Sequence, residues 1–218
     1  MNISENYKNL TKDIPKGINL IVVTKFQEKE SMLEVYNKGH RDFGENKVQE
    51  IIRKSEILPK DIKWHMIGHL QTNKVKYIAP YISMIHSVDS LKLLKEINKQ
   101  AQKSDNIINC LLQFYIATEE TKFGLDINEA TLILESEEIK TFNNIRICGV
   151  MGMASFTDNK NLVRTEFKEL VNIFNQLKSK YFKNDNYFKE ISMGMTNDYA
   201  IAIEEGSTIL RIGSKIFQ

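Results

Sequence analysis

Short runs of β-branched and apolar residues alternate along this chain with longer polar stretches of helical period. The apolar runs fall at Ile18–Thr24, Arg41–Gly44, Trp64–Gly68, Met84–Val88, Ile107–Ile116, Ile145–Met153, Phe188–Met193 and Thr208–Ile212. Between them, Asn161–Phe182 carries Val163, Phe167, Leu170, Phe174, Leu177 and Tyr181 at steps of four and three, which places them on one helix face. Ser90–Ser104 has a similar stripe of Leu91, Leu94, Ile97 and Ala101, with Ser90 placed to cap its N-terminus. Ile127–Phe142 and Glu28–Lys38 read as two more crossover helices, the second closed by Gly39. Eight strand candidates separated by seven helical stretches predict a (β/α)8 barrel of the TIM type, one domain spanning residues 1–218. A doubly wound open sheet also alternates, but eight evenly spaced units favour closure.

Composition narrows the function classes. Of 218 residues, 42% are hydrophobic and 27% charged, so the chain can bury a full core and is not a disordered or low-complexity one. Thirty basic against twenty-eight acidic side chains leave a net charge of +2, which gives no reason to expect a nucleic-acid partner. Cys110 and Cys148 sit in apolar runs and are expected as reduced core thiols. The first thirteen residues are polar and lack a signal-peptide pattern, and no uncharged run is long enough to span a bilayer. A cytoplasmic protein with no membrane contact is expected.

In a barrel of this kind the chemistry lies where strands end and βα loops begin. Lys25 closes the first apolar run. A neutral amine in a desolvated site would serve as a Schiff-base nucleophile, whereas a lysine with a buried stem and a solvated head would be structural. The loop Ser192-Met-Gly-Met-Thr-Asn-Asp198 opens a short helix at Asp198–Glu205, and Gly206 to Ser214 ends in a second Gly-Ser corner. Both corners suit a phosphate, and both also suit ordinary turns and helix caps. Arg211 either faces the same cavity or pairs with a carboxylate outside the barrel. His65 and His69 are four residues apart on a strand rather than a helix, with no accompanying ligands, so no metal site is expected. His40 and His86 read as a loop residue and a strand-end residue. The phosphate-loop, dinucleotide and nucleophile-elbow motifs are missing from the sequence.

Several segments together resemble the pyridoxal 5′-phosphate (PLP) homeostasis proteins, related to the N-terminal barrel of alanine racemase. They are Ile21-Val-Val-Thr-Lys25, Phe43-Gly-Glu-Asn46, Trp64-His-Met-Ile-Gly-His-Leu-Gln71, Thr121-Lys-Phe-Gly124, Gly149-Val-Met-Gly-Met153, Ile191-Ser-Met-Gly-Met-Thr-Asn-Asp198 and Arg211-Ile-Gly-Ser214. The resemblance implies a barrel of the fold-type III PLP class, with Lys25 as the Schiff-base lysine. It implies Ser192, Gly213 and Ser214 around the phosphate, Arg211 near the pyridine nitrogen, and Asn46 and Met151 close to the ring. Met193 is counted with these cofactor-binding residues, and Lys122 with the basic surroundings of the site.

Three positions depart from the family pattern: Lys47 in place of an aromatic or Arg, Phe123 within the Lys-x-Gly segment, and Ser214 in place of Thr. Ser for Thr keeps the hydroxyl. An arginine beside the ring nitrogen disfavours its protonation, so the ring is a weaker electron sink. The related racemases also use an acid/base residue from a second domain and subunit, for which a chain ending at Gln218 has no room. The expectation is therefore a monomeric PLP carrier with no catalytic residues, serving PLP-dependent apo-enzymes. The alternative is a small amino-acid racemase.

Overall fold

A computed structural model of the chain describes residues 2–118 and 124–218. Eight parallel strands close in sequential order into a barrel. They are β1 (Asn19–Val23), β2 (Asp42–Glu45), β3 (Lys63–Met66), β4 (Ile82–Val88), β5 (Ile108–Tyr115), β6 (Ile145–Met153), β7 (Glu190–Ser192) and β8 (Ile209–Ile212). The helices are α1 (Ile3–Asp13), α2 (Lys29–Tyr36), α3 (Val48–Ile57), α4 (Val75–Ile78), α5 (Leu91–Lys103), α6 (Ile127–Glu135), α7 (Lys160–Tyr181), α8 (Tyr199–Glu204) and α9 (Ser214–Phe217). The expected (β/α)8 barrel is the architecture found.

The main core lies between strands and helices. Val163, Phe167, Leu170 and Leu177 of α7 are buried against it, as the spacing predicts, while Phe174 and Tyr181 pack partly buried at its edge. Each such side chain stabilises the fold by about 1.5–3 kcal/mol through removal from water. Ser90 caps α5 by accepting from the Leu93 amide at 3.3 Å. Inside the barrel a second, small cluster forms from Ile21, Leu111, Cys148, Met151 and Ile209.

Cys148 and Met151 both belong to this inner cluster although they are three residues apart, which strict strand alternation forbids. A bulge explains it. The β5–β6 register slips between Cys110 and Leu111, which face Ile147 and Gly149. Gly149 has φ +153°, and a Cβ there would lie 1.8 Å from the Glu190 carbonyl oxygen. The extra residue turns Met151 inward toward the end of β6.

One helix expectation needs correction. Ile127–Phe142 is not one helix: the chain leaves helical geometry at Ser136, ψ 145°, and resumes as a 3-10 turn at Ile139–Thr141. Ser136 Oγ donates to the Ile133 carbonyl at 2.8 Å, a local bond that competes with helix continuation. The polar N-terminus, assigned no element above, folds as α1, with Asn2 capping it and Leu10 buried. Ile3, Tyr7 and Leu10 supply a narrow stripe, and Asn6 donates to the Ile216 carbonyl at 3.2 Å, tying α1 to α9.

Candidate functional site

The C-terminal mouth of the barrel gathers most of the residues singled out above. Ile21 is registered opposite Arg211 and Val22 opposite Ile212, so the chain segments leaving β1 and β8 emerge side by side. Lys25 therefore leaves the barrel next to Gly213 and Ser214. A Cβ at Gly213 would sit 2.6 Å from the Val23 carbonyl oxygen, so only glycine permits this approach. On its other side β1 pairs with β2, Val23 opposite Gly44, which brings Asn46 to the same rim, where it is exposed.

Lys25 is exposed, on a turn immediately beyond β1, rather than sealed in a desolvated strand end. It makes no ion pair with any described residue. Phe26 follows it in the left-handed region at φ 64° and is 86% exposed, a conformation that a bulky residue adopts only where the surroundings hold it.

What holds this turn lies directly beneath it. Thr24 is buried, and its hydroxyl donates to Glu45 Oε1 at 2.6 Å. Lys54, from α3, donates to the same oxygen at 2.6 Å and to the Thr24 carbonyl at 2.8 Å. A lysine whose ammonium is fully buried thus braces the strand end that presents an exposed one.

Arg211 faces the barrel interior and is 4% exposed. Its Nη1 donates to Ser192 Oγ at 2.7 Å and its Nη2 to the Gly152 carbonyl at 3.0 Å. No carboxylate forms a salt bridge with it among the described residues. Burial pulls its pKa down to about 10, a shift that the charge of Asp198 opposes. Asp198 is itself raised by burial, against the pull of the Met195 amide and the Arg211 charge.

Met151, of the inner cluster, and Ser192 are completely buried beneath this mouth, whereas Met193 is completely buried in the main core between strands and helices. Ser214 is exposed at the start of α9, and Thr196 is partly exposed in the loop between β7 and α8. That loop is fixed at both ends: the Met195 amide donates to Asp198 Oδ1 at 2.5 Å, and the Arg211 amide to the Gly194 carbonyl at 2.9 Å. Lys122 lies outside the described residues.

Two residues given no role from sequence join the site from below. His86 is not a strand-end residue but lies within β4, fully buried, with Nδ1 3.0 Å from Ser192 Oγ. Its Nε2 lies 3.0 Å from Nδ1 of His65, whose Nε2 lies 3.2 Å from Asp42 Oδ1. Burial, with the charges of His65 and Arg211, depresses His86 well below the usual histidine value. His69 is instead half-exposed beside Asp89 at 3.4 Å. The signal for His65 and His86 was their placement in apolar runs. What sequence withheld was the register that joins two strands' inward faces to Ser192.

On the far side of the mouth, Glu166 of α7 accepts from the Ser155 amide at 2.7 Å, the Ser155 hydroxyl at 2.6 Å and the Thr118 amide at 2.9 Å. The loops after β5 and β6 are thereby tied to one helix. Both cysteines are free and buried, as expected. Burial raises the Cys110 thiol far above its ordinary value and the Cys148 thiol to about 11, so neither is nucleophilic near neutrality. Among the described residues no helix is long and apolar enough to cross a membrane.

The alanine racemase N-terminal domain family matches residues 1–218. A pyridoxal phosphate homeostasis protein of Aquifex aeolicus (strain VF5) is 36% identical over 199 residues, 91% of this chain and 85% of the relative. PipY of Synechococcus elongatus PCC7942, solved with PLP bound, matches at 29% identity and a TM-score of 0.87, over 99% of this chain and 100% of that one. An alanine racemase of Clostridium difficile 630 shares the fold at 14% identity, with a TM-score of 0.75, over 99% of this chain and 55% of that one. The chain belongs to the pyridoxal phosphate homeostasis proteins, within the alanine racemase N-terminal domain family.

Proposed function

We propose that this protein holds PLP at the C-terminal mouth of its barrel and takes part in intracellular vitamin B6 homeostasis. The observation that carries the proposal is Arg211, a buried guanidinium with no salt bridge among the described residues, on the strand that pairs with the one Lys25 follows. A buried cation without a counter-charge is costly, and an electron-rich ligand offsets that cost. The residues fit the group: an accessible amine for an aldehyde, a buried donor for a ring nitrogen, and hydroxyls on close-packed corners for a phosphate.

When bound, PLP supplies an aldehyde that bonds reversibly to a primary amine. Lys25 is the amine. Arg211 orients the ring by donating toward its nitrogen and keeps a proton off that atom. Asn46 borders the ring from the rim, and Met151 floors the site, while Met193 supports the strand end from the outer core. Gly213, the Ser214 hydroxyl and the loop carrying Thr196 cradle the phosphate. The Ser192 hydroxyl is engaged by Arg211 and His86, so we assign it to the ring side, and Thr196 takes the phosphate-side place expected of Ser192.

An exposed Lys25 suits capture and release. The open mouth and the unprotonated ring make turnover poor, so the protein acts as a carrier for PLP-dependent apo-enzymes rather than as a racemase. It works as a single barrel domain over residues 1–218, in the cytoplasm, and as a monomer, since strands of one chain supply every group named.

The test is the visible spectrum of the purified protein with added PLP, before and after borohydride, with peptide mass mapping. A band removed by reduction, with the adduct on Lys25, is the expected result. No band, or an adduct scattered over surface lysines, refutes the proposal. Cα deuterium exchange of alanine, compared with Lys25→Ala, separates carrier from racemase.

A further inference from the structure

The hydrogen bonds beneath Arg211 have one consistent direction when both histidines are neutral. An arginine side chain has donors and no acceptor, so Nη1 must donate to Ser192 Oγ. The far end, ionised Asp42, has acceptors and no donor. Burial raises its pKa, but the His65 bond and the charges of His65, Lys63 and His40 outweigh that and keep Asp42 below the usual carboxylate value.

Between these ends each imidazole can donate from one nitrogen and accept at the other. Ser192 donates to His86 Nδ1, His86 donates from Nε2 to His65 Nδ1, and His65 donates from Nε2 to Asp42. With His65 neutral, the reverse order fails at Asp42, where two lone-pair-bearing atoms would face each other across 3.2 Å; a His65 protonated on both nitrogens is the one state that would allow it.

The far end is not solid protein. Asp42 and His65 line a cavity of about 630 Å³ at the N-terminal mouth, with Lys63, Asn109 and Glu190. The chain of bonds therefore crosses the barrel from one mouth to the other, beside the small apolar cluster of Ile21, Leu111, Cys148, Met151 and Ile209.

We propose that His86 and His65 are positioning residues, which with Ser192 hold the Arg211 guanidinium against the cofactor ring through a one-way hydrogen-bond chain anchored on Asp42 at the opposite mouth. The part of this that concerns the ring rests on the PLP reading above; the direction of the chain does not.

Long-range proton–nitrogen spectra of histidine-labelled protein at pH 7 test the direction. The expected result is the Nε2–H tautomer for both rings. A His86 that carries its proton on Nδ1, or on both nitrogens, overturns the proposal.

Asp42→Ala removes the anchor at a partly exposed rim position, whereas Asp42→Asn keeps a carbonyl oxygen that still accepts. In Asp42→Ala the two rings should populate both tautomers. With PLP added, its absorption band should shift and its retention should fall roughly three- to tenfold, the effect of one loosened hydrogen bond. Asp42→Asn should restore both. His65→Phe breaks the next link and should act as Asp42→Ala does.

Unchanged tautomers in both broken variants overturn the chain. Changed tautomers with an unmoved PLP band and unmoved retention overturn its coupling to the cofactor. Wild-type protein that takes up no PLP refutes the PLP reading alone, and the tautomer measurements still decide the chain.

Discussion

Lys54 reaches from α3 to within 2.6 Å of Glu45 at the end of β2, and each side chain is only 1% exposed. The same ammonium binds the carbonyl of Thr24, the residue before Lys25. A buried pair adds little net stability over a well-packed apolar pair, but losing one partner strands a charge. The pair's value to this protein is geometric: it fixes where the first strand stops and the exposed turn begins.

Lys54→Met should therefore destabilise the fold by about 3–5 kcal/mol, because Glu45 is left buried without its counter-charge. Glu45→Leu combined with Lys54→Met should recover most of that loss. Urea denaturation of the single and double variants checks both, and a double variant no more stable than the single would contradict the account.

Lys25→Ala should leave stability within about 0.5 kcal/mol of wild type, since the side chain is exposed and unbraced. The same variant should lose the borohydride-fixed PLP adduct. Mass mapping alongside thermal melting measures the two effects separately.

PLP and pyridoxal differ by the phosphate, and their affinity ratio isolates the groups that bind it. Thr196→Val should lower that ratio several-fold, by about 1–2 kcal/mol for a lost hydrogen bond to a charged group. Ser192→Ala should leave the ratio unchanged while shifting the absorption band through Arg211. A ratio that falls only in Ser192→Ala would return that serine to the phosphate.

Acid should destabilise the fold at a higher pH than carboxylates alone explain. His86 and His40 are both depressed from the ordinary value of 6.5, chiefly by burial. The unfolded chain then binds protons that the folded one refuses, so stability is full above pH 6.5 and is lost as pH falls below it. Each group contributes a slope of up to about 1.4 kcal/mol per pH unit. Asp42, also depressed, adds a further loss below about 3.8 by the same sign. Urea midpoints at pH 7.5, 6.0 and 5.0 should decline, and a flat series would refute the assignment of neutral, buried rings.

The barrel was legible because each strand falls within or overlaps one of the short apolar runs, and α5 and α7 carry clean stripes. Closure followed from the count. Less legible were features set by relations between strands. The Gly149 bulge is needed because Glu190 of β7 lies against it, and nothing local in β6 announces that contact. Ser192 reads as a loop hydroxyl, yet the β6–β7 register places it opposite Met151, inside the barrel. His65 and His86 belong together only once β3 and β4 are paired. For α1, three apolar residues in eleven were too sparse to mark a helix that depends on α9 for its cover.

The pairing of β1 with β8 has a consequence for biosynthesis. Lys25 is made early and Arg211 near the other end of the chain, and they reach the same mouth of the barrel only when the last strand docks on the first. That contact spans most of the sequence, so its loop-closure entropy is met late in folding. A nascent barrel still lacking Ile209–Ile212 has the amine but neither the guanidinium nor the corner beside it. Under the proposed PLP reading, competence to capture a reactive aldehyde thus arrives with completion of the fold, and an unfinished chain offers only an ordinary surface lysine.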